Sequence, residues 1–115
     1  MLKQCILFLL VFTWIIPQMG NGIALPWRTW LNMHSDLEAI VKCESNFNPA
    51  SVGDHGKSYG IFQIYLPAHP EITKEQAKDP YWAINWAIDQ QAKGNLGIWT
   101  CAKLLSKQGK IIADL

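Results

Sequence analysis

Charge is scarce in this 115-residue chain: 17% of its residues are Asp, Glu, Lys or Arg, and the formal net charge is +1. With no basic stripe there is nothing to track a phosphate backbone, so nucleic acid is not expected as a partner. No block of like charge, low-complexity segment or internal repeat is present, which argues against a disordered tail or a repeat array. Histidine is scarce as well. His34, His55 and His69 show no metal-ligand spacing, so neither metal nor cofactor is expected. Long apolar runs are also missing. The longest, "CILFLLVFTWII" from Cys5 to Ile16, would rise only about 18 Å as a helix, short of a bilayer core of roughly 30 Å.

That run belongs to a three-part N-terminus. Met1, Leu2 and Lys3 give a short positive start, the apolar stretch follows, and Pro17, "QMGNG" and Gly22 to Ala24 supply small and polar residues. This is the plan of a secretory signal peptide, with cleavage expected after Ala24. An uncleaved anchor or a buried helix is the alternative. The expected mature domain is residues 25–115, a single exported unit, secreted or periplasmic, without a stable membrane span and monomeric. A domain of that size is marginal on core packing alone. Cys5 leaves with the signal; Cys43 and Cys101 remain. In an exported protein two cysteines favour one disulfide, and two free buried thiols are the alternative.

What the chain has in abundance is apolar and aromatic residues: half of it is hydrophobic, with six tryptophans. These fall into helical patterns. "PWRTWL", Pro26 to Leu31, reads as a short helix with Pro at its first position. In "SDLEAIVKCES", Ser35 and Glu38 spell a capping box, with the helix starting at Asp36. Its apolar stripe runs Leu37, Ile40, Val41, and the next position of the series is Glu44. Asn48-Pro49 ends it in a turn. Residues 50–57 read as loop, and Ser58 to Leu66 as a short strand or an irregular extended piece. Thr73 and Gln76 form a second capping box. Asp79 then caps a helix with Pro80 at its first position, running to about Lys93 before Gly94 stops it. A last helix is expected near Ile98 to Lys107. The fold class is mainly α with a small extended or β segment.

Glu44 is the residue that breaks pattern. It falls where the stripe calls for an apolar side chain, at the C-terminal end of its helix. Burial and the negative end of the helix dipole both disfavour its ionised form. A carboxylic acid that keeps its proton near neutral pH is what protonation of a leaving oxygen requires. The bland reading is a glutamate at a frayed helix end, turned to solvent.

The surrounding motifs favour the first reading. Glu44-Ser45, then Phe47-Asn48-Pro49, a loop with Gly53 and Gly56, and "SYGIFQI" from Ser58 to Ile64 resemble the lysozyme-like domain of lytic transglycosylases and goose-type lysozymes. The likeness is strongest from Ile40 to Ile64 and continues more weakly through Asp79-Pro80 and the next helix. It implies a compact lysozyme-like domain with the extended segment beside a sugar cleft. It also implies cleavage of the β-1,4 bond between N-acetylmuramic acid and N-acetylglucosamine in peptidoglycan, with Glu44 as general acid and then base. Ser45 would fix the helix end. Gly60 would let the backbone approach the sugar, and Gln63 would bond its polar groups. Ser58, Tyr59 and Phe62 would line the cleft, core packing being the alternative for the aromatics. One well-placed carboxylate favours a lyase giving a 1,6-anhydro product. A second carboxylate, for which Asp54 is nearest in sequence, would favour hydrolysis. The late Tyr-Asn pair of many family members is missing. Trp99, for stacking, and Tyr81, for a hydroxyl, stand in as weaker candidates, whereas Trp82 and Trp86 read as core and His55 and His69 as loop residues. Small enzymes of this kind often serve envelope secretion or conjugation machines or phage entry. A non-catalytic glycan-binding module or a structural envelope component would keep the aromatics and Gln63 without needing a protonated Glu44.

Overall fold

The structure is a computed structural model and describes residues 25–113 and 115; the expected signal peptide lies outside the described residues. Five helices and a small sheet follow in order. They are α1 (Trp27–Asn32), α2 (Ser35–Ser45), strands β1 (Val52–Gly53), β2 (Ser58–Tyr59) and β3 (Ile64–Tyr65), α3 (Lys74–Lys78), α4 (Pro80–Ala92) and α5 (Thr100–Lys107). Single 3-10 turns, Leu66–Ala68 and Leu96–Ile98, lead out of the sheet and into α5. The mainly α class with a small β segment holds. No helix among the described residues is long and apolar enough to cross a membrane.

The helices share one core. Leu37, Ile40 and Val41 of α2 are fully buried, as the stripe requires, against Leu31, Ile61, Phe62 and Ile84. Trp82 and Trp86 stack with centroids 6.4 Å apart and pack on the core's edge. The sheet is antiparallel in the order β1-β2-β3, with Val52 opposite Tyr59 and Tyr59 opposite Ile64. The expected single extended piece is thus two strands and a tight turn through Gly60 to Gln63, and the expected loop before it contributes a third strand.

Capping shows where local signals carried through. At α3, Thr73 accepts from the Gln76 amide and Gln76 reaches back to the Thr73 amide, a complete capping box. At α4, Asp79 accepts from the Tyr81 amide with Pro80 next to it. The box expected at Ser35 does not form. Ser35 is already helical, and His34, with no side-chain cap, takes the capping position. Other partners claim the groups. Glu38 accepts from the Asn32 amide. Asp36, with 8% exposure, accepts from the backbone amides of Ile112 and Ala113 at 2.8 and 2.9 Å, tying the C-terminal tail to the start of α2. Pro26 likewise precedes α1 instead of opening it.

Cys43 and Cys101 form a disulfide, with Cα atoms 6.0 Å apart and a sequence separation of 58. Closing a loop of that size stabilises by about 4 kcal/mol in the chain-entropy description, a large share for so small a core. The bridge joins α2 to α5.

Candidate active site

α2 ends sharply. Asn46 takes a left-handed conformation (φ 50°) and its amide donates to the Lys42 carbonyl. Phe47 follows at φ 64°, and Asn48 Oδ1 accepts from the Ala50 amide to close the turn before β1. The Ser45 hydroxyl bonds the Val41 carbonyl of its own helix and, at 2.8 Å, the Ile61 carbonyl of the β2–β3 turn. This fixes the end of α2 against the sheet, so Glu44 cannot drift.

Glu44 is half-buried and faces an open cleft of about 470 Å³, a size suited to a few sugar rings or a small ligand. One side of the cleft is the β1–β2 loop, with Asp54, His55 and Lys57. The other sides are Gln63 and Tyr65 from the sheet and Ile98, Trp99 and Thr100 before and at the start of α5. Burial, the largest cause, raises the Glu44 pKa above its ordinary 4.5; the backbone amide of Cys101 pulls it down, and the negative charge of Asp54 pushes it up again. The Cys101 amide donates to Glu44 Oε1 at 3.4 Å.

Asp54 is held as firmly. The hydroxyl of Ser58, a fully buried residue, donates to Asp54 Oδ2 at 2.5 Å. The Tyr59 hydroxyl donates to the Gly56 carbonyl at 2.6 Å, and the Gly56 and Lys57 amides both donate to the Gly53 carbonyl. Asp54, His55 and Gly56 have φ of 50°, 57° and 84°, three left-handed residues in succession. For His55 that conformation is costly. Such strain concentrates at binding and catalytic loops, where surrounding bonds hold it in place.

The residues expected to touch substrate separate into two groups. Glu44, Gln63 and Trp99 line the cleft. Ser45, Ser58, Tyr59, Gly60 and Phe62 stand behind it as its support. Gly60, at φ 82°, is buried, and a Cβ there would run into the Ala77 carbonyl of α3; its close approach is to protein. Gln63 spends its amide donors on the Ser51 and Gly60 carbonyls, at 3.0 and 2.9 Å, and so braces the sheet instead of offering donors to a ligand. Phe62 is fully buried, and Tyr59 nearly so. Trp99 is only 4% exposed. Its indole donates to the Phe62 carbonyl at 2.8 Å and its ring packs against Phe62 and Trp86, leaving little surface for stacking on a sugar. Tyr81 lies elsewhere, stacked on Trp30 and donating to the Leu25 carbonyl.

Five cleft residues, Thr100 among them, were not singled out for the cleft by the sequence reading. Tyr65 and Ile98, 42% and 48% exposed, are its apolar surfaces. Tyr65 was within reach, because it alternates with buried Ile64 along a strand. His55 and Lys57 join the cleft only through the backward curl of their loop, which no local pattern announces. No family model matches the chain, nor does any curated protein or solved structure.

Proposed function

We propose that the protein is an exported peptidoglycan-cleaving enzyme in which Glu44 protonates the glycosidic oxygen between N-acetylmuramic acid and N-acetylglucosamine. The observation that carries this reading is a half-buried carboxyl with a raised pKa, anchored at a helix end and opening into a cleft with apolar and polar sides. Burial keeps the proton on Glu44 until a leaving oxygen takes it; the resulting carboxylate then serves as base. In the lyase reading the substrate's own 6-hydroxyl gives up its proton to that base and closes a 1,6-anhydro ring.

Asp54 favours a second reading within the same class. It shares the cleft with Glu44, acts on the Glu44 proton through its charge and is locked by Ser58. A second ionised carboxylate there can orient a water for attack, giving hydrolysis. Mass spectrometry of muropeptides released from purified peptidoglycan separates the two, because the anhydro product is one water lighter than the hydrolytic one. Glu44→Gln should abolish release while leaving binding to the insoluble substrate. A Glu44→Gln protein that digests peptidoglycan as well as the parent refutes both readings. Asp54→Asn should cost release only if water is the acceptor.

A further inference from the structure

Glu44 touches the rest of the protein through an unusual pair of neighbours. Cys43, directly before it, is bonded to Cys101, and the amide of that same Cys101 donates to its carboxyl. Two elements far apart in sequence therefore meet at two adjacent points, one covalent and one a hydrogen bond. The α5 terminus has no side-chain cap of its own, since the residue that precedes it, Trp99, carries an indole that only donates and so cannot accept from a helix amide. The Glu44 carboxyl fills that role from another helix.

We propose that the Cys43–Cys101 bridge is a positioning device for Glu44, holding the first-turn amide of α5 against the carboxyl oxygen that carries charge once the proton has left. The proposal rests on the reading of Glu44 as general acid.

The geometry has the asymmetry that catalysis uses. At 3.4 Å the bond is long beside the usual 2.9–3.0 Å of an amide donor, which leaves it room to tighten. It shortens when the acceptor becomes an anion, and the positive end of α5 adds to the attraction. An interaction stronger in the charged state lowers the barrier to proton transfer without strengthening ground-state binding. Burial and Asp54 hold the proton on, while the Cys101 amide receives the charge. The other titratable groups of the cleft are His55 and Lys57 on the loop and Tyr65 on β3. On the two bridged helices, the nearest are Lys42 on α2 and Lys103 on α5, neither of which lines the cleft. Cys43 is exposed and Cys101 partly so, so the bridge adds little buried surface; its distinctive property is where it stands.

The test is an NMR titration of the oxidised protein, following the Glu44 carboxyl carbon and the Cys101 amide together. The two should move with one midpoint, and the amide should stop responding in Glu44→Gln. In the Cys43→Ala/Cys101→Ala double variant the Glu44 midpoint should move upward. The alkaline limb of peptidoglycan release should follow it, with kcat down by about tenfold, a weak donor falling below the usual hundredfold or more, and KM little changed. A Cys101 amide that ignores the Glu44 titration overturns the proposal. So does a double variant that melts earlier but keeps its Glu44 midpoint and pH limb, because the bridge is then only a tether. If the double variant does not fold, the parent protein with its bridge reduced by a thiol takes its place, and an unchanged Glu44 midpoint there overturns the proposal. Linked titration in a protein that never releases muropeptides supports the bridge's hold on Glu44 and refutes the enzyme.

Discussion

Between Asn46 and Gln63 five non-glycine residues hold positive φ, whereas from Thr73 to Ala92 none does. The first region is short strands, tight turns and side chains bonded to carbonyls. The second is two helices with ordinary caps, a proline at the first position of α4 and an apolar face turned to the core. Each left-handed residue ill suited to that conformation costs on the order of 1–3 kcal/mol, so the first region is expensive where the second is not. The expensive region supplies most of the polar wall of the cleft. The economical one supplies the packing that lets it persist.

The contrast is sharpest where function and stability part company. Glu44→Gln should lower muropeptide release by at least a thousandfold, toward the upper range for a general acid–base residue, yet leave the fold intact. Its effect on stability has a definite sign. The folded-state pKa is raised above 4.5, so in the window between the two values the native protein holds a proton that the unfolded chain has released. Stability is full below 4.5 and falls as pH rises through the folded value. Gln cannot ionise, so the variant should be more stable than the parent above that window and lose the advantage in acid. Denaturant midpoints measured on both proteins across pH check this. A variant less stable at every pH would mean that the carboxylate is a structural group and the site reading is wrong.

Two glycines with similar φ carry the comparison into the backbone. Gly60 (φ 82°) presses on the Ala77 carbonyl, whereas Gly94 (φ 74°) has open space around its missing Cβ. Gly60→Ala should destabilise by about 3 kcal/mol or more, combining backbone strain with overpacking. Gly94→Ala should cost about 1 kcal/mol, from strain alone. Equal losses in chemical denaturation would show that α3 yields to a methyl group, and that the β2–β3 turn is not braced as its bonds imply.

A smaller gap is expected between two polar anchors. Gln63→Ala removes two bonds to carbonyls at the turn, on the order of 2 kcal/mol, and should also loosen the cleft, raising the KM for peptidoglycan. Asp79→Ala removes one helix cap, about 1 kcal/mol, with no kinetic effect. A kinetic change in Asp79→Ala would break the division between cleft and scaffold.

The same division explains what could be read from the chain alone. The second region was legible because its signals are local: Thr73 and Gln76 satisfy each other, and Asp79-Pro80 fixes a helix start by geometry that needs no distant partner. Glu44 was legible because its oddity is periodic, an ionisable residue in the series begun by Leu37, Ile40 and Val41. The disulfide followed from two cysteines in a chain expected to be exported. The loop was not legible. Asp54, His55 and Lys57 reach the cleft through consecutive left-handed residues stabilised by Ser58, Tyr59 and Gly53, and those bonds exist only once the sheet has formed. Gly60 and Gln63 were singled out, but for contacts with sugar; their distant partners, Ala77 and Ser51, become neighbours only in the folded chain.

The two capping boxes give the finest test, since the motif is the same and the outcome differs. At Thr73 both reciprocal bonds form. At Ser35 neither counts, because Asp36 is drawn to the Ile112 and Ala113 amides and Glu38 to Asn32. Thr73→Ala should therefore cost about 1 kcal/mol, and Ser35→Ala a few tenths at most, as for a surface substitution away from any cap. Asp36 takes the weight that the motif assigns to Ser35: Asp36→Ala should cost more than either, by leaving two tail amides without an acceptor. Hydrogen exchange at Ile112 and Ala113 reads this directly. Faster exchange in Asp36→Ala, with no change in Ser35→Ala, would place the anchor of α2 at the far end of the chain, where a search for local signals does not look.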